Sequence, residues 1–255
     1  MRKWVLTAAC VFVAAGTALG ELGWIVGSFP IPGRYCAGLA RSNDVLFSCN
    51  HALGIIYRCN YLNGSITGSF PASGGIYASG LAYQSGGYLW QNQCLAKPFA
   101  VYVKNALNGS VYHSYSLAYQ YTTGTAPLAT GDGGEGTSYI ILSNYYYLRP
   151  RFYYMTTNGS ITGERPVSQP LFDVAYDWRN RIIWGGRDGP FVYGYDMGGG
   201  FVTSFRAPVA NVYGITYHGQ YLWVAGNRGY IYRIHCPGPS GVRPTSMGKI
   251  KAIFD

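Results

Sequence analysis

Charged side chains are scarce in this chain. Only 11% of its 255 residues are Asp, Glu, Lys or Arg, where soluble domains carry about 25%. The acids number 10 against 19 basic residues, which disfavours chemistry that needs several converging carboxylates. His51, His113, His218 and His235 lie far apart, and none forms a zinc-like spacing with a cysteine. There is no Cys-x-x-Cys pair, and no segment after residue 20 is apolar for long enough to cross a bilayer. No convincing amphipathic helix follows residue 20, and no Gly-x-y period points to collagen. Gly131-Asp132-Gly133-Gly134-Glu135-Gly136 follows no strand–helix pattern and carries acids where a phosphate would approach, so no nucleotide loop is read there. No Ser or Cys has the local context of an activated nucleophile.

What the chain does have is glycine and tyrosine, 36 and 25 of them. The aromatic content, 16%, argues for a packed core and against disorder. The formal charge of +9 is spread over scattered residues, with Arg149–Arg151 and Arg179–Arg181 among the near pairs. No basic stripe or RNA motif emerges, so nucleic acid is not the expected partner. An anionic cell-surface polymer suits a modestly basic exported protein better.

Export is the reading of the first 20 residues. Arg2 and Lys3 precede an apolar run from Trp4 to Leu19, and Ala18-Leu19-Gly20 supplies small residues for cleavage. The mature chain is then expected to be secreted, at the cell surface or in the periplasm, with no transmembrane segment. Five cysteines would remain: Cys36, Cys49, Cys59, Cys94 and Cys236. An odd number cannot all pair internally, and Cys49 and Cys59 read as small buried strand residues.

Internal repetition is the strongest signal. Gly38-Leu39-Ala40, Gly80-Leu81-Ala82-Tyr83, Asp173-Val174-Ala175-Tyr176 and Gly214-Ile215-Thr216-Tyr217 open four units, and Pro127-Leu128-Ala129 is a looser fifth copy. Their starts are separated by 42, 47, 46 and 41 residues, the length of one four-stranded propeller blade. Each unit continues with an apolar pair such as Leu89-Trp90, Ile183-Trp184 or Leu222-Trp223, then a β-rich run such as Tyr230-Ile231-Tyr232. Trp90, Trp184 and Trp223 hold equivalent places and are expected in the core between blades. Asn63-Gly64-Ser65, Asn108-Gly109-Ser110 and Asn158-Gly159-Ser160 recur before the fourth strand. They read as tight hairpins with positive φ at both central residues, and each also matches an N-glycosylation acceptor. The fifth unit has three strands, and Trp24-Ile25-Val26-Gly27-Ser28-Phe29-Pro30 supplies the missing one. The expected fold is an all-β, five-bladed propeller over residues 21–240, closed by pairing its N-terminal strand with the last blade. Six blades is the competing count. Residues 1–20 would be the signal peptide and residues 241–255 a separate C-terminal tail.

Gly-Leu-Ala-Tyr with a later Leu-Trp, together with Asn-Gly-Ser-Ile-Thr-Gly-Ser-Phe-Pro, resembles the repeats of bacterial secreted β-propellers of the broad YVTN/WD40-like group. The resemblance covers roughly residues 24–237 and implies the fold but no single function. The unit lacks a consistent Trp-Asp ending, which separates it from ordinary WD40 repeats. The segment Pro244-Thr245-Ser246-Met247-Gly248-Lys249-Ile250-Lys251-Ala252 resembles C-terminal tails of some exported bacterial proteins, which implies sorting or surface attachment.

In such a ring the loops leading into the first strands surround one mouth. Tyr35, Tyr77, Phe172 and Tyr213 fall there, with Asp173 the one acid. An aromatic collar with a single carboxylate suits a carbohydrate or a peptide, since tyrosine combines an apolar face with a hydroxyl. Packing between blades is the competing role for these tyrosines. Asp132, Glu135 and Asp177 fall in turns at the opposite end, where they are the residues a calcium ion would use. No other cofactor is expected. The leading expectation is a non-catalytic binding or scaffold protein. The alternative is a propeller enzyme of the lactonase, glycosidase or glutamine cyclotransferase-like type.

Overall fold

The computed structural model describes residues 24–94, 99–117, 122–145, 148–226 and 229–236. The signal-like segment, the C-terminal tail and the side chain of Tyr77 lie outside the described residues.

Alternating apolar and polar residues between glycine-rich turns make short strands, and these pair into five four-stranded antiparallel sheets. Blade I holds β2 (Leu39–Arg41), β3 (Val45–Asn50), β4 (Ile55–Asn60) and β5 (Ile66–Pro71). Blade II holds β6 (Ala78–Gln84), β7 (Tyr88–Gln93), β8 (Ala100–Asn105) and β9 (Val111–Ser116). Blade III holds β10 (Thr122–Leu128), β11 (Tyr139–Asn144), β12 (Arg151–Thr156) and β13 (Ile161–Pro166). Blade IV holds β14 (Asp173–Asp177), β15 (Ile182–Gly186), β16 (Phe191–Tyr195) and β17 (Phe201–Arg206). Blade V combines β18 (Gly214–His218), β19 (Tyr221–Ala225) and β20 (Tyr230–His235) with β1 (Trp24–Pro30). The chain is thus a five-bladed β-propeller, and six blades are excluded. Pairing Phe29 with Ile231 and Trp24 with His235 closes the ring, which covers an edge that would otherwise stay unpaired.

The core lies between neighbouring blades. Trp90, Trp184 and Trp223 are buried at equivalent second-strand positions, as Phe47 and Ile141 are in the other two blades. Each joins a cluster spanning two blades: Trp184, for example, packs with Ile215, Leu222 and Val224 of blade V. Burying one such aromatic contributes roughly 2–3 kcal/mol, so the five inter-blade layers hold the ring together.

The opening strand of blade III differs from its sequence-based placement. Ala126 pairs with Ile141 as Ala40 does with Phe47 and Ala82 with Trp90. The residue equivalent to Gly38, Gly80, Asp173 and Gly214 is therefore Gly124, three residues before Pro127. The reason for glycine is close approach. A Cβ on Gly38 would sit 2.9 Å from Gly80 Cα, one on Gly80 2.4 Å from the Thr123 carbonyl, and one on Gly124 2.7 Å from Asp173 Cα. The inner strands converge so tightly that this layer has room for one side chain, and Asp173 provides it.

The Asn-Gly-Ser turns also differ from expectation. Only the glycine takes positive φ: 73° at Gly64, 77° at Gly109 and 90° at Gly159. Asn63 and Asn108 instead accept hydrogen bonds from the backbone N–H of Ser65 and Ser110, at 2.9 and 3.0 Å. In blade III the turn is a three-residue loop, with Gly159 N–H donating to the Thr156 carbonyl and Thr156 N–H to that of Ser160. Each of these glycines also faces the fourth strand of the preceding blade. A Cβ would fall 2.2 Å from the Phe29 ring at Gly64, 2.4 Å from Phe70 at Gly109 and 2.1 Å from Tyr115 at Gly159. The motif is thus an inter-blade contact as well as a turn.

Candidate functional site

Asp173 opens β14 and is fully buried at the ring's inner face. One of its oxygens accepts the backbone N–H of Leu39 (3.2 Å) and of Ile215 (3.0 Å), and the other that of Thr125 (3.4 Å). It therefore ties blade IV to blades I, III and V. Burial pushes its pKa well above the carboxylate range, and the N–H groups of Ile215, Leu39, Thr125 and Val174 pull against that without reversing it. Polar bonds from blade to blade surround it. Cys49 Sγ donates to the Ala78 carbonyl (3.6 Å), Asn92 Nδ2 to that of Gly124 (2.9 Å) and Ser143 Oγ to that of Leu171 (3.2 Å). These three donors occupy one repeat position. Beneath Asp173 the channel holds a cavity of about 20 Å³ lined by Arg41, Tyr83, Thr125, Val174, Tyr176 and Tyr217, room for about one water.

Above Asp173 the mouth gathers aromatics. Phe172 is half-buried between two tyrosines, stacked on Tyr145 at 3.8 Å between ring centroids and edge-on to Tyr213 at 4.4 Å. The hydroxyls of Tyr145 and Tyr213 donate to the two oxygens of Asp188, which lies on the loop after β15. Tyr35 is edge-on to His51 at 6.0 Å. The structure thus brings Phe172 and Tyr213 together, places Tyr35 on blade I's side of the mouth and sets Asp173 below them. Tyr145 and Asp188 are the members that sequence reasoning missed. Tyr145 begins the run Tyr145-Tyr146-Tyr147, and Asp188 precedes Gly189-Pro190. Both lie in second-to-third-strand loops, which the repeat comparison leaves unaligned.

The acids at the opposite end divide differently. Asp132 Oδ1 accepts from Trp178 Nε1 (2.9 Å) and from the Gly219 N–H (2.8 Å), while Oδ2 pairs with Arg179 Nη2 (3.1 Å). Burial pushes the Asp132 pKa up, but the Trp178 and Gly219 donors, with His218 and Arg179 nearby, bring it below the usual value. Asp132 and Glu135 line a hollow of about 310 Å³ together with Asp44, which sequence reasoning did not include. Asp177 is elsewhere and fully buried. Its oxygens accept from the backbone N–H of Arg179 and Asn180 and from Asn180 Nδ2, at 3.1, 3.1 and 2.7 Å. Among the described residues, no group of three or more His, Cys, Asp or Glu side chains is placed to hold a metal ion. The five described cysteines, Cys36, Cys49, Cys59, Cys94 and Cys236, are buried and none of them is in a disulfide. Burial pushes the Cys36 and Cys59 thiols up to about 12, far from thiolate reactivity. No described helix is long and apolar enough to cross a membrane.

This combination defines a five-bladed propeller with an inner ring of glycines and one central carboxylate. No family model matches the sequence, and no curated protein matches it. The fold has counterparts among solved structures. A glutaminyl cyclase from Myxococcus xanthus superposes with a TM-score of 0.68 at 14% identity, covering 84% of this chain and 97% of that one. A chain of a mitotic checkpoint complex reaches 0.50 at 11% identity, over 78% of this chain and 63% of that one. At these identities the likeness is one of fold.

Proposed function

We propose that this chain is an exported, non-catalytic propeller that binds a carbohydrate, a peptide or a cell-surface polymer through the mouth of the ring. The observation that supports this reading is the Tyr145–Phe172–Tyr213 cluster. Three half-buried aromatic rings from blades III to V are pinned by two hydroxyls on one carboxylate, Asp188. Rings fixed in this way contribute binding area at little cost in side-chain entropy. Tyr35 would extend the surface on the side of blade I. Asp173 supports it from below by holding the inner strands in place. Its oxygens are engaged by three other blades, which fits a framework role better than acid–base chemistry. On this reading residues 1–20 direct export and residues 241–255 attach the protein to a surface.

The deciding experiment is a glycan and peptide array screened with the wild type and with a Tyr35→Ala/Tyr145→Ala/Tyr213→Ala variant of confirmed fold. Binding is expected to fall about tenfold or more, equivalent to about 1.4 kcal/mol. Unchanged binding would exclude the mouth. The fold shared with the Myxococcus xanthus enzyme makes cyclisation of a peptide with N-terminal glutamine the natural activity control. No turnover is expected, and turnover that mouth substitutions abolish would overturn the non-catalytic reading.

A further inference from the structure

A groove of about 420 Å³ lies on the face opposite the mouth, where blades I and V meet. Its lining includes Arg41, Arg179, Arg233, Tyr61, His218 and Trp223. Three guanidinium groups thus border one hollow, and Asp132 pairs with only one of them, Arg179.

Arg41 breaks the repeat. By strand register it stands where blades II, IV and V carry Tyr83, Tyr176 and Tyr217. Its guanidinium carbon lies 4.2 Å from the centre of the Tyr61 ring and 4.5 Å from that of Trp223. Stacking of this kind fixes the plane of the guanidinium and leaves its edge to donate. Only 7% of Arg41 is exposed. Its Nη2 donates to the Asn43 carbonyl at 3.0 Å, while its Nε has no partner among the described residues. Arg233, whose guanidinium lies 5.2 Å over the Tyr221 ring, likewise has a buried Nε without a partner. His218 Nδ1 and the indole N–H of Trp223 are in the same condition.

Buried donors left without acceptors, and three guanidinium groups beside a single paired carboxylate, are costly to assemble. Burial lowers the Arg41 pKa to about 10, with Arg233 adding to that and Tyr61, Asp132 and Asp44 opposing it, so Arg41 stays charged at neutral pH. Burial also lowers His218 to about 4, aided by Arg41 and Arg179 and opposed by Asp132, so the imidazole is neutral there and acts as a polar wall. The positive charge of the groove then comes from Arg41, Arg179 and Arg233.

We infer that this groove is a binding site for an oxyanion group, carboxylate, sulfate or phosphate, held by Arg41 and Arg233 with Arg179 at the rim. The inference is independent of the mouth and of what binds there.

Calorimetric titration of the folded protein with inorganic sulfate, inorganic phosphate and oligogalacturonate tests it, with ionic strength held constant by chloride. The three probes separate tetrahedral oxyanions from a carboxylate on a sugar. Saturable binding of at least one probe is expected, weakened fivefold or more by Arg233→Gln and by Arg41→Gln. Arg151→Gln, a change at a half-buried arginine of blade III that pairs with Glu164, should leave affinity unchanged. Arg233→Gln carries the test if Arg41→Gln fails to fold. No saturable binding, or equal weakening by Arg151→Gln, would overturn the site. So would binding confined to anionic lipid vesicles and indifferent to Arg233→Gln.

Discussion

At the mouth, Asp173 reaches the backbone N–H groups of blades I, III and V from complete burial. At the opposite end, Asp132 joins blades III, IV and V through Trp178, Arg179 and Gly219, but from a partly exposed turn. Both carboxylates staple three or more blades, yet their surroundings drive their acidities apart. Asp173 is dominated by desolvation and its pKa rises. Asp132 gains enough from its donors and from neighbouring cations that its pKa falls. One geometry therefore yields two opposite couplings to pH, with solvent access deciding between them.

The largest effect should come from Asp173→Ala. It removes three inter-blade hydrogen bonds and leaves three buried N–H groups without acceptors, where each such group costs about 1–3 kcal/mol. A total of about 4 kcal/mol or more is expected, read as a lower midpoint in urea-induced unfolding. Asp132→Ala frees donors that water can reach and should cost about 1–2 kcal/mol. Equal losses at the two sites would break the contrast between them.

How much of this was legible in the sequence depends on whether a position repeats. Five units, their strands and the closing role of Trp24–Pro30 follow from periodic glycine, tryptophan and β-branched residues, because each blade must bury the same faces. Asp173 stood out as the residue replacing glycine. Its partners could not be read, since they are backbone groups of strands 42, 48 and 134 residues away. The register of blade III was obscured because Gly124-Thr125-Ala126-Pro127 has lost the apolar and aromatic residues of its counterparts. Tyr145 and Asp188 escaped notice because they sit on loops with no repeat to measure them against. The setting of Arg41 was hidden for a different reason. It occupies a repeat position, directly after Gly38-Leu39-Ala40, where three other units carry tyrosine, but Tyr61 and Trp223, the rings it stacks on, meet it only in the folded ring.

The pH dependence sharpens the comparison at a smaller scale. A raised pKa in the folded state means that the Asp173 contribution is complete below the unfolded value, about 3.9, and fades as pH rises through the folded one. For Asp132 the folded value is lowered. Its contribution is complete above about 3.9 and is lost as pH falls through the folded pKa. Melting temperature measured from pH 3 to pH 9 should therefore show opposite changes of slope. Asp173→Asn should flatten the decline on the neutral side, and Asp132→Asn should flatten the loss on the acid side. Matching profiles for the two variants would show that burial does not separate the sites.

The smallest effect is expected at Arg179, and its size tests what holds Asp132. The Arg179–Asp132 pair is 3.1 Å long with side chains 46% and 28% exposed. Pairs this exposed are worth about 0–1 kcal/mol. Trp178 Nε1 and the Gly219 N–H remain on Asp132 when the guanidinium is removed. Arg179→Gln should then cost about 0.5 kcal/mol or less, with the loss shrinking further in high salt because the pair is screened. A loss as large as that of Asp132→Ala would mean that the ion pair, rather than the two neutral donors, joins the blades at this end.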